Sequence, residues 1–388
     1  MNHFRDLLLS LLVAMVALSS CRKEEEIIPS SRVRVGVPGR PGKIKGFFLL
    51  NEANMGSNKA TLDYYDYTTA FYTRNIYAER NPNVVKELGD VGNDLQIHGS
   101  RLYAVINVSG LIEVMDVRTA KHIGKLSIPN CRYIAFKDGF AYVSSYAGPV
   151  KIDPNARLGY VAKVDTATLK VVAECPVGYQ PEELLIQGDK LYVANSGGYR
   201  APNYDKTISI IDLKTFTEEK QVDVAINLHR LQLDNYGKIW ASSRGDYKGV
   251  PSRLFVFAPK TEHVTKTLEV ACSNMAVSGD SLFVYSSEWS YLTGKNTISY
   301  TVIDTKKQEV IDRNFIKDGT DKEIQLPYGL AINSEQGELY LTDAQDYVHP
   351  GQLHCYDLKT GRRKWSVKTG DIPAHIAFTT QPLHPLHH

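Results

Sequence analysis

The sequence lacks most of the features that announce a biochemical class. Its 388 residues include five cysteines and three tryptophans. No two cysteines form a CxxC pair, and none stands at a Cys/His zinc spacing, which excludes a zinc ribbon or finger. Charge of one sign is missing too. Lys plus Arg number 45 and Asp plus Glu 43, a net +2, so nothing marks nucleic acid or an anionic membrane face as partner. No apolar run reaches the roughly 20 residues needed to cross a bilayer as a helix. Helical periodicity is absent throughout, and there is no GxSxG, HExxH, P-loop or dinucleotide fingerprint.

What is present is an ordinary globular mixture, 43% hydrophobic and 23% charged, which excludes wholesale disorder and fibrous folds. Tyrosine is abundant, 23 copies against 12 Phe, as suits strands and a half-wet binding surface. At the N-terminus, the apolar run Leu7 to Leu18 and the following Ser19-Ser20-Cys21 read as a secretory signal ending in a bacterial lipobox, with Cys21 acylated. The run Glu24 to Glu26 resembles an export tag for the outer face of the outer membrane. Pro29, Gly36, Pro38, Gly39, Pro41 and Gly42 then suggest a flexible tether. The expected organisation is a signal segment 1–20, acylated Cys and tether 21–45, one domain 46–380 and a tail 381–388. The remaining Cys131, Cys175, Cys272 and Cys355 are expected as buried free thiols, because a core this large needs no staples.

A repeat governs the rest. An aromatic strand recurs seven times, at Phe47-Phe48-Leu49-Leu50, Leu102-Tyr103, Tyr142-Val143, Leu191-Tyr192, Ile239-Trp240, Leu282-Phe283 and Leu339-Tyr340. A strand precedes each copy after the first at a nearly constant step, as one hairpin reused would give. A third strand ending in Asp follows, as in Ile208-Ser209-Ile210-Ile211-Asp212. Four strands per unit predict an all-β fold: a seven-bladed β-propeller with four antiparallel strands per blade. The first unit lacks its innermost strand and a spare one, Ala374 to Phe378, follows the last. The N- and C-terminal strands are therefore expected to share one blade and close the ring.

The longer, irregular loops fall between second and third strands, on one face. The connections into the first strands reach that face as well, aligning the pairs Asn93-Asp94, Arg132-Tyr133, Glu182-Glu183, His229-Arg230, Ser273-Asn274, Tyr328-Gly329 and Ala374-His375 around the channel mouth. Such a polar ring can hold a ligand, a metal or only water. Glu52, Asp94, Glu183 and Asn274 are the set that a metal-dependent, lactonase-like hydrolase would need. A histidine-rich copper hub is excluded, since only His229 and His375 fall there. The stretch Asp234 to Trp240 approaches a sialidase Asp-box but lacks its Ser, and reads as an ordinary hairpin.

Gly178-Tyr179-Gln180-Pro181-Glu182-Glu183-Leu184, Gly188 to Asn195 and Ile208 to Asp212 resemble the YncE-like seven-bladed propellers over nearly all of 47–378. Together with the lipobox, the Glu24 to Glu26 run and the Tyr-rich loops, the chain resembles the BtuG-type surface lipoproteins. That resemblance implies a non-catalytic receptor, lipid-anchored at the cell surface of the outer membrane. It would bind cobalamin (vitamin B12) as transported ligand, without a cofactor or structural metal, and hand it to a TonB-dependent outer-membrane barrel. The residues it points to are Tyr146, Tyr199, Arg200, Tyr204, Arg244, Tyr247, Trp289, Tyr291 and Tyr347 on the outer loops. At the mouth it points to Asn93, Tyr133, Gln180, His229, Asn274, Tyr328 and His375. A protein or glycan adhesion module is the other non-enzymatic reading.

Overall fold

The computed structural model describes residues 29–40, 42–84, 87–290 and 295–385. The signal segment, Cys21, the start of the tether, Tyr291 and the last three residues lie outside them. The described chain forms seven antiparallel sheets, each built of four consecutive strands or their equivalent. Numbered by their second strands, blades 1 to 7 hold Gly46–Asn51, Arg101–Ile106, Phe140–Ser145, Lys190–Asn195, Ile239–Ser243, Ser281–Ser290 and Glu338–Asp343. The first strands, the innermost, contact one another in a closed circle. Blade 1 takes its innermost strand from the C-terminus: Pro373–Thr379 pairs antiparallel with Gly46–Asn51, Phe47 opposite Phe378 and Leu49 opposite Ile376. The ring is closed by this exchange.

Burial explains which strands the sequence shows clearly. Second strands are covered on both faces by neighbouring blades, so each reads as a short apolar run with polar residues only towards its ends; every residue of Gly46–Asn51 and Glu338–Asp343 is buried. Fourth strands form the wet rim, and Thr217–Asp223 carries mostly exposed polar residues with a weak alternation. The hydrophobic core is correspondingly divided. Seven clusters fill the seven gaps between adjacent blades, such as Tyr103, Val114, Ile134 and Val143 between blades 2 and 3. No blade has a core of its own, which is why the chain cannot be cut between blades. Cys131, Cys175, Cys272 and Cys355 are free and buried in these gaps.

The tether differs from expectation. From Ser31 the segment is docked: Ser31–Arg34 pairs with Phe71–Arg74 as a fifth, outermost strand of blade 1. Val35 then enters the core between blades 7 and 1. Backbone N–H groups of Lys43 and Ile44 donate to the Glu335 carboxylate at 2.7 and 2.8 Å. Proline and glycine in this stretch shape a strap along the rim; composition alone does not separate a docked strap from a free linker. The tail is docked too, since Arg118 Nε donates to Gln381 Oε1 and Leu383 packs on the cluster between blades 1 and 2. One α-helix, Ile76–Arg80, interrupts the strands among the described residues.

Candidate functional site

Both sets of connections predicted to share a face do so, and they enclose a bowl of ≈ 1160 Å³ over the channel mouth. Its floor comes from a repeated irregularity. In six blades the register of the first strand slips at the aligned pair, between Gly92 and Asp94, Pro181 and Leu184, Leu228 and Leu231, Pro327 and Leu330, and likewise in blades 3 and 1. A β-bulge sets two residues opposite one, so both members of a pair are freed from strict alternation. Hydroxyls of the second strand fill the gap. Ser144, Ser242 and Thr342 accept the bulge N–H groups of Tyr133, Arg230 and Gly329 at 3.1, 3.0 and 2.6 Å. Asp94 and Glu183 tie each bulge to the next blade by accepting from the N–H of Ile134 and Leu231, at 3.0 and 2.7 Å.

Charged side chains then interlock on this floor. Glu182, fully buried, accepts Arg132 Nη2 at 3.0 Å, Arg244 Nη1 at 3.1 Å and the Tyr146 hydroxyl at 2.5 Å. Burial opposes its ionisation, but Arg132 and Arg244 more than offset that and hold its carboxyl below the usual range. Glu183 behaves oppositely: burial dominates over Arg230 and raises it. Arg230 Nη1 donates to the Tyr133 hydroxyl at 3.2 Å, and that hydroxyl lies 2.9 Å from His229 Nε2. Burial pushes Tyr133 up to about 12. His229 is held well below its ordinary value, by burial first and then by Arg244, Arg230 and Arg132, so it is neutral at physiological pH. Across the mouth, Glu52 accepts the Tyr328 hydroxyl at 2.7 Å and faces His375 Nε2 at 3.0 Å.

The structure brings together Asn93, Tyr133, Tyr199, His229, Arg244, Tyr247, Asn274, Trp289, Tyr328, Tyr347 and His375 on the bowl. Four other candidates lie off its lining. Tyr146 is buried beneath the floor under the Arg132 guanidinium. Gln180 is buried and accepts the Tyr199 N–H at 2.6 Å, a loop-shaping role. Arg200 stacks on Tyr179, 3.5 Å from the ring centre, and Tyr204 is half-buried outside the lining. Arg132, Arg230, Glu52 and Lys248 line the bowl without having been singled out as ligand contacts. The signal for the two arginines was the aligned pair itself: once the bulge is recognised, both members belong to the mouth.

Above the floor the walls turn aromatic. In blade 6 the second and third strands run on as a ten-residue hairpin, Ser281–Ser290 with Lys295–Asp304, and carry Trp289 out to 54% exposure. In blade 5, Asp246 Oδ1 accepts the N–H groups of Lys248, Gly249 and Val250 at 2.9, 2.9 and 2.8 Å. A Cβ on Gly245, at φ +65°, would meet Val250 O at 2.0 Å, so this loop is fixed in the shape that presents Tyr247 and Lys248. Every blade contributes an exposed large apolar residue to the same face: Met55, Val108, Ile152, Tyr199, Tyr247, Trp289 and Val348. The carboxylates of a central metal site are otherwise engaged, with Glu52 on Tyr328 and His375, and Asp94 and Glu183 on backbone N–H groups. Among the described residues no three His, Cys, Asp or Glu side chains come together as a metal set. The Asp234 to Trp240 stretch is a plain hairpin in which Trp240 Nε1 donates to Asp234 Oδ2 at 2.9 Å.

Residues 45–379 match the family described as "Domain of unknown function (DUF5074)". The chain belongs to this family. The match covers the whole ring of the DUF5074 chain, from the start of blade 1 to the closing strand. No curated protein matches it. Among solved structures it is similar to Kuenenia stuttgartiensis hydrazine synthase, at TM-score 0.57 and 18% identity, over 69% of this chain and 77% of that one. It is also similar to the Neurospora crassa Pan2 WD40 domain, at TM-score 0.50 and 12% identity, over 75% and 80%. At these identities the likeness concerns the propeller scaffold of the DUF5074 chain alone.

Proposed function

We propose that this protein is a non-catalytic surface lipoprotein that captures a corrinoid such as vitamin B12 in the bowl and passes it to a TonB-dependent outer-membrane barrel. The observation that carries the reading is the bowl: at ≈ 1160 Å³ it exceeds the ~300–1,000 Å³ of ordinary small-molecule sites. Its contents suit a large, flat, amide-edged ligand. Tyr199, Tyr247, Trp289 and Tyr347 offer ring faces to an apolar macrocycle, while Asn93, Asn274, Arg132 and Arg230 offer polar groups to peripheral amides. The floor is locked by bulge and ion-pair bonds before any ligand arrives, so little ordering cost opposes binding. The apolar crown around the rim suits docking onto a second protein. Acylation at Cys21 would hold the propeller at a membrane surface without inserting it.

Titration of the full chain in detergent with cyanocobalamin, followed by calorimetry, tests this. The expected result is one site with Kd below about 1 μM, near −8 kcal/mol. Trp289 emission should be quenched in parallel, because Trp240 is buried and Trp365 packs between blades 7 and 1, away from the bowl. Trp289→Phe should remove most of the quench. No heat at tens of micromolar ligand would overturn the proposal.

A further inference from the structure

The bowl is chemically lopsided, and the imbalance points to a group on the ligand. The arginine side is blade 3 with Arg132 and blade 5 with His229, Arg230, Arg244 and Lys248; the acids that line the bowl, Glu52, Glu288 and Asp346, sit on blades 1, 6 and 7. On the arginine side the donors outnumber the acceptors. Each guanidinium carries five N–H groups. Arg244 spends one on Glu182 Oε1, and its other N–H groups have no acceptor among the described residues although its side chain is a quarter exposed to the bowl. Glu182 is already saturated by Arg132, Arg244 and Tyr146 and has nothing more to offer.

His229 adds a donor through its tautomer. Arg230 Nη1 donates to the Tyr133 oxygen, so the one hydroxyl proton of Tyr133 is left for His229 Nε2. Nε2 is then the acceptor and the ring proton sits on Nδ1. Nδ1 has no partner among the described residues, and the ring lines the bowl. Lys248 completes the group: its side chain is exposed on the loop that Asp246 and Gly245 fix, and it makes no ion pair among the described residues. Three residues of blade 5 thus line the bowl with donor groups left over after their protein partners are counted.

We infer that His229 Nδ1–H, Arg244 and Lys248 form a seat for a phosphodiester oxyanion and so fix which way round the ligand lies. This rests on the corrinoid reading, in which the anion is the phosphodiester of the nucleotide arm, the ligand's own negative group beside a macrocycle edged by neutral amides. Guanidinium and ammonium donors on an oxyanion make charge-assisted bonds, and the walls of the bowl limit their hydration.

The test compares two ligands on the full chain in detergent: cyanocobalamin, and cobinamide, which keeps the corrin ring but lacks the nucleotide arm and its phosphate. Arg244→Gln should weaken cyanocobalamin about 10- to 100-fold and leave cobinamide within about twofold. Lys248→Gln, an exposed change that leaves the core untouched, should weaken cyanocobalamin alone by about two- to fivefold. A thermal melt of each variant checks folding. If both ligands weaken equally in both variants, the seat is wrong while the corrinoid reading stands. If neither ligand binds the unaltered chain, the corrinoid reading and the seat fall together.

Discussion

The two faces of the disc are made by the same strands and are built on opposite rules. On the face away from the bowl, each third strand turns into the fourth through one repeated device. In six blades an Asp ends the third strand and caps the turn. Asp116 accepts from the N–H groups of Arg118 and Thr119, Asp212 from Lys214 and Thr215, and Asp357 from Lys359 and Thr360. The turn closes on a left-handed residue in all seven blades: Ala70, Ala120, Leu169, Phe216, Glu262, Gln308 and Gly361. It is also clipped to the neighbouring hairpin, as Leu213 N–H to Asp189 O and Leu358 N–H to Gly337 O show. On the bowl face the bulge and the hydroxyl that caps it recur, but the loops differ in length and the side chains they present differ from blade to blade. Repetition on one side makes the disc; variation on the other makes a site.

The contrast can be broken at its root by removing closure. A chain ended after Asp371 loses Pro373–Thr379 and exposes the inner edge of Gly46–Asn51. Circular dichroism should then show no cooperative thermal transition. Next in size is the ion-pair floor. Glu182→Gln leaves Arg132 and Arg244 facing each other in a buried site, and chemical denaturation should show a loss of about 3–5 kcal/mol.

Acid should act on the blade cores through histidine. Burial lowers His354 to about 4, so between pH 6.5 and about 4 the unfolded chain binds a proton that the folded chain refuses. Stability therefore falls as pH drops through that window, by about 3 kcal/mol from this residue in full, with His229 adding in the same direction. Urea midpoints from pH 7.5 to 5 should fall, and His354→Gln should flatten the slope. A pH-independent midpoint would contradict the burial of both rings. The smallest effect belongs to the repeated turn. Gln308→Gly should stabilise by about 0.5–1 kcal/mol by relieving a left-handed side chain. Gly361→Ala should cost more than that, because its Cβ would meet Phe315 O at 2.3 Å.

The scaffold was legible because its signals are local: Tyr103, Tyr192 and Tyr340 sit in runs buried on both sides, and Asp116, Asp212 and Asp357 end their strands at one fixed offset. Fourth strands such as Thr217–Asp223 were not, since a wet rim imposes little pattern. The docked strap at Ser31–Arg34 was hidden by its exposed, polar sequence, whose register depends on Phe71–Arg74 far along the chain. At the site, loop position found Tyr247 and Trp289. It did not separate them from Tyr146 and Gln180, because burial beneath the floor is decided for Tyr146 by Glu182 across a blade boundary and for Gln180 by the fold of the Tyr199 loop over it. Arg132 and Arg230 required knowing that the strand bulges there.

Hydrogen exchange of the full chain with and without cyanocobalamin puts the division between the faces to its most direct trial. Protection is expected in the loops 51–58, 144–158, 196–205, 244–252 and 343–349, with the turns after Asp116, Asp165, Asp212 and Asp357 unchanged. Protection confined to those turns, or none at saturating ligand, would contradict a binding bowl on the variable face.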